Sequence, residues 1–123
     1  MDKTETSYMP PHFGSMPKEA LDHRGWVISP FLPPDHPGYS DRFEMKWGVH
    51  SKGGARKVPA EDVTTTISVL ISGHFAITDE DDTFELKDPG HYLLSHPGKS
   101  HTWRAIADSV VLTVRLVGET LEE

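Results

Sequence analysis

Apolar and polar residues alternate with a period of two through most of residues 25–117, and no ten-residue stretch carries a helical period. The run 42–50 sets Phe43, Met45, Trp47 and Val49 on one face and Glu44, Lys46, Gly48 and His50 on the other. The apolar set is the expected core face, which points His50 away from the interior unless a bulge re-aims it at the strand end. Residues 63–78 form the strongest β segment: Ile67, Val69 and Ile71 share one face, and Thr66, Ser68 and Leu70 the other. Gly73 interrupts it and predicts a tight turn between two strands. Shorter strands are expected at 25–29, 84–87, 91–94, 101–105 and 109–117, with the Pro-Gly pairs at 89–90 and 97–98 as turns. Residues 51–62 read as a polar loop. Roughly seven or eight strands with evenly spaced turn signals predict an all-β sandwich or barrel, for which a jelly roll fits best.

The flanks depart from this pattern. Residues 1–24 carry prolines and little periodicity and read as an arm, disordered or laid over another surface; 25–118 form the barrel, and 119–123 an acidic tail. Four prolines between 30 and 37 exclude regular structure there except at an edge, so that this loop is expected to cover the barrel mouth or a second subunit. At 123 residues the chain is one domain. It has no cysteine, hence no disulfide framework and no thiolate chemistry. With 12 basic and 19 acidic residues its formal charge is −7, which argues against nucleic acid as the partner. No apolar run is long enough for a membrane span and the start lacks a signal-peptide core, so a cytoplasmic protein without a membrane partner is expected.

Candidate chemistry centres on residues 88–104. His101 heads an alternating run in which His101, Trp103 and Ala105 share a face. The segment resembles the second sequence motif of the cupin family, G-x5-P-x-G-x2-H-x3-N: Gly90, Gly98 and His101 match, while His96 takes the proline position and Ala105 the asparagine position. The resemblance spans residues 40–117 and implies a cupin-type jelly-roll β-barrel in a single domain, commonly dimeric. It also implies a first motif in which two histidines and a glutamate join the second-motif histidine around a divalent metal. Counting back from Gly73, those positions hold Ala60, Asp62 and Thr66. Only Asp62 among them could still coordinate, so the metal motif is degenerate.

The resemblance implies that Thr66 and Ser68 face the interior with His101 and Trp103. A cavity with small hydroxyls, one imidazole and an indole suits a small organic molecule. The favoured reading is an enzyme of isomerase, cyclase or lyase type in which His101 transfers a proton and Asp62 orients it, with Thr66, Ser68, Trp103, His50 and His96 binding substrate. No cofactor is required by this reading. One alternative is a metal-dependent oxygenase or lyase holding iron, manganese, nickel or zinc on His50, Asp62 and His101. Another is a non-catalytic ligand-binding or sensing module. The partners expected are a small molecule and, from the arm and the apolar face of residues 67–71, a second copy in a homodimer.

Overall fold

The described residues form nine strands: β1 (Trp26–Ile28), β2 (Phe43–His50), β3 (Ala55–Val58), β4 (Thr64–Ser72), β5 (Phe75–Thr78), β6 (Thr83–Leu86), β7 (Tyr92–Ser95), β8 (His101–Ala105) and β9 (Ser109–Val117). The computed structural model describes residues 10–58 and 64–117. The strands pair antiparallel into a five-stranded sheet, β1-β2-β9-β4-β7, and a four-stranded sheet, β3-β8-β5-β6. The two sheets enclose a common interior, as the jelly-roll expectation required.

Register explains what that interior contains. Across the larger sheet, Gly48 pairs with Val111 and Leu70 with Val111; one step up, Lys46 pairs with Thr113 and Ser68 with Thr113; another step up, Glu44 and Thr66 flank Arg115. Across the smaller sheet, Ala105 pairs with Phe75 and Phe75 with Leu86; above them Arg56, Trp103 and Ile77 form a row; above those, Val58 pairs with His101. Each row lies two residues along the strands from the next, so each places its side chains on the same face. The lowest rows are apolar and close on one another: Leu70, Phe75, Ile77, Leu86, Ala105 and Val111 are the buried core, with Leu93 and Trp103 packed against it. The upper rows are polar and leave a cavity.

Two expectations change. The even face of β2 (Lys46, Gly48, His50) is the inner one, and the apolar odd face points out, leaving Val49 72% exposed. The reversal has a physical cause: this end of the barrel is lined by polar groups, so the usual equation of apolar with inward fails. Residues 55–58, read as polar loop, are a strand paired along its length with β8. Within the expected arm, a helical turn α1 (Met16–Ala20) begins with Pro17 near its start and buries Ala20.

The joints follow their sequence signals. Gly73 adopts φ +103°, a conformation that disfavours a side chain, and a Cβ there would come within 2.6 Å of Ser109 Cα. Ser109, 2% exposed, ties this turn together: its hydroxyl accepts from the His74 amide at 3.0 Å and lies 2.7 Å from the Ala107 carbonyl, to which it donates. The proline-rich loop is anchored rather than loose. Leu32 is buried, Phe31 packs edge-on against Trp26 at 5.6 Å, and His36 Nδ1 accepts the Gly38 amide at 2.8 Å.

Candidate functional site

The cavity above the core has a volume of about 370 Å³. Six of the seven residues singled out from the sequence line it: His50, Thr66, Ser68, His96, His101 and Trp103. The seventh, Asp62, lies outside the described residues, so the orienting role expected of it has no geometry here. Thr66 and Ser68 project inward from β4 with Leu70 below them, and His101 and Trp103 project inward from β8 with Ala105 below. Trp103 does two jobs. It seals the top of the core and forms part of the cavity wall.

Of the three imidazoles that line the cavity, His96 lies in the β7–β8 connection, and His50 and His101 project from strands and stand at different levels. His50 sits low, its ring 4.5 Å from Trp103 and 5.2 Å from Phe75. Gly48 makes room for it, since a Cβ at that position would meet His50 Nε2 at 2.7 Å. His101 lies two residues above Trp103 on β8, level with Val58. Burial disfavours the charged form of both rings and holds their pKa values below the ordinary histidine value. The Lys46 charge adds to this for His50. For His101, Arg115 adds to it and Asp79 opposes it. Both side chains are thus neutral imidazoles near neutral pH, each with one nitrogen able to accept a proton and one able to donate.

Sequence reading missed the cations. Lys46, Arg56, Lys99 and Arg115 also line the cavity, and no carboxylate does so among the described residues. Lys46 Nζ lies 5.2 Å from the Trp26 ring centre, and its pKa is lowered by burial first and then by Arg56 and Arg115. Arg115 Nη1 stands 3.2 Å from Glu44 Oε1, a carboxylate that is 8% exposed. The signal was present in the sequence: Lys46 shares a face with His50, and Arg115 shares one with Val111 and Thr113. Taking the apolar face of β2 as the inner one concealed it.

The remaining histidines serve local structure. His74 pairs with Glu85 at 2.7 Å, and the His91 ring accepts the Lys87 amide at 3.1 Å instead of pointing into the cavity. A divalent metal needs several converging imidazole or carboxylate donors. Among the described residues no group of three such side chains is close enough to hold one. Among the described residues, His50, His96 and His101 reach the cavity beside Lys46 and Arg115 without converging as such a donor set.

No family model matches the sequence, and no curated protein matches it. Solved structures do. The chain is similar to a cupin superfamily protein from Desulfitobacterium hafniense, with a TM-score of 0.59 and 20% identity over 64% of this chain and 71% of that one. KdgF from a Halomonas species gives a TM-score of 0.59 and 16% identity over 80% and 92%. Ectoine synthase from P. lautus gives 0.55 and 16% over 65% and 57%. The chain therefore has the cupin jelly-roll fold. Identities this low establish architecture, and function must come from the site. Among the described residues no helix is long and apolar enough to cross a membrane.

Proposed function

We propose that the protein is a small-molecule-binding cupin and an enzyme of isomerase, cyclase or lyase type, with His101 as the proton-transfer group. The observation that carries this reading is a half-buried imidazole on the wall of a cavity that also holds cations, where burial and Arg115 disfavour its charged form. A neutral imidazole is a competent base near pH 7. His101 would take the proton from a carbon beside a carbonyl or carboxylate, and the electron pair would pass onto that oxygen as an enolate. Lys46 and Arg115 would offset the developing negative charge. In an isomerase the imidazolium then returns the proton to the γ-carbon of an enolate conjugated with a double bond, which shifts that bond. In a lyase, the electron pair expels a leaving group that takes the proton. Trp103 and Ile77 give an apolar wall for the carbon skeleton, and Thr66 and Ser68 offer hydroxyls to its oxygens.

Solvent exchange tests this without knowledge of the product. Compounds that raise the melting temperature are incubated with the protein in deuterium oxide, and loss of the carbon-bound proton signal is followed by NMR. The wild type is expected to catalyse exchange, and His101→Gln to slow it by about 10²–10⁴-fold while still binding the compound. Binding without exchange in the wild type would remove the enzyme reading and leave a ligand-binding module.

A further inference from the structure

The protein carries a formal charge of −7, yet the described cavity wall holds four cations and no carboxylate. They arrive from separate elements: Lys46 on β2, Arg115 on β9, Arg56 on the edge strand β3, and Lys99 in the β7–β8 connection. Lys46 pairs in register with Thr113, and Thr113 lies two residues from Arg115 on the same face, so the two cations are diagonal neighbours on one sheet. Arg56 reaches in from the opposite sheet beside Trp103. Clustering like charges in a half-buried site opposes folding, and Glu44, 3.2 Å from Arg115, offsets part of that charge. The hydroxyls of Thr66, Ser68, Ser95 and Thr113 stand among these charges and can donate hydrogen bonds.

Resting on the reading of this cavity as a small-molecule site, we propose that its ligand is a small organic acid whose carboxylate lies between Lys46 and Arg115, with its carbon skeleton against Trp103 and Ile77. A carboxylate there supplies negative charge that the described part of the wall lacks, and guanidinium and ammonium groups form its strongest hydrogen bonds. The cavity volume limits the acid to low molecular mass. Arg56 and Lys99, nearer the edge, would draw the anion in and suit a second acidic group.

Matched pairs of probes test the proposal: benzoate against benzamide, and succinate against succinamide, at low and high sodium chloride. Binding is read from tryptophan fluorescence, since Trp26 and Trp103 line the cavity, and from the melting temperature. The acids are expected to bind at least about tenfold more tightly than their amides, an advantage that salt reduces. Lys46→Gln is expected to weaken acid binding about tenfold and to reduce the preference for acid over amide. Amides that bind as well as acids, or Lys46→Gln without effect on acids, would overturn the anionic ligand while sparing the small-molecule site. Failure of every probe to bind at millimolar concentration would overturn both.

Discussion

At the scale of single residues, histidines illustrate how little a residue type decides and how much its row decides. His12 pairs with Glu19 at 3.2 Å, His74 with Glu85, and His36 caps its own loop, while only His50, His96 and His101 reach the cavity. His101 was legible because its strand alternates cleanly and its motif position is preserved. His50 was legible as a candidate and misjudged in direction, because its strand has two plausible inner faces and the apolar one lost. The downward shifts of His50 and His101 fix a sign. A histidine whose folded pKa is depressed binds its proton more readily when unfolded, so its contribution to stability is present above the unfolded pKa. That contribution is lost as pH falls from about 6.5 toward the folded values. Acidification is therefore expected to weaken the fold at these two positions, the reverse of what a metal-free histidine paired with a carboxylate would do.

At the scale of elements, β2 and β8 explain why the cupin metal cage is absent from the described residues. They deliver one imidazole each, at depths separated by the Trp103 row. The first-motif positions of the resemblance fall partly on Thr66, a hydroxyl directed into the cavity. We expect protein purified without chelator or nickel resin to carry well under one equivalent of iron, manganese, nickel or zinc by plasma mass spectrometry. Its melting temperature is expected not to move on adding these ions. Near-stoichiometric metal would contradict the donor set drawn from the described residues and bring in Asp62. Most strands were legible from period-two alternation and Gly or Pro punctuation. β3 was not, since Ala55-Arg56-Lys57-Val58 has almost no apolar pattern and is held as a strand by pairing with β8, a long-range contact that local sequence does not announce. Missing β3 also concealed Arg56.

At the scale of the whole molecule, the inner and outer faces of the larger sheet have exchanged the usual roles. Its inner face carries Glu44, Lys46, His50 and Arg115, whereas the outward positions of β2, β4, β7 and β9 hold no charged side chain. Val49, Tyr92, Leu94 and Leu116 are exposed there at 72%, 66%, 44% and 44%. An apolar surface of this extent marks an interaction site. We propose that two copies of this chain, of net charge −7, meet on this face, which brings no like charges together. A homodimer through this face is the expected assembly. Light scattering at micromolar concentration is expected to return twice the chain mass of 13.7 kDa. Tyr92→Lys with Leu94→Lys is expected to return one. A wild-type monomer would contradict this. The overall fold was legible because strand count and turn spacing leave few all-β arrangements. The charge inside the barrel was not, since net charge averages over the whole surface.

The proposed proton transfer requires His101 to be neutral beside the cations, with Asp79 the described carboxylate that opposes them. Its titration by nitrogen-15 NMR, assigned by comparison with His101→Gln, is the measurement that tests this most directly, and His50 is read in the same spectra. Midpoints below about 6.5 for both rings, rising when a carboxylate ligand is added, are the predicted result. A His101 midpoint at or above that value in the free protein would contradict the account. It would mean that a carboxylate outweighs Arg115 and burial, and that the ring is a cation near neutral pH instead of a base.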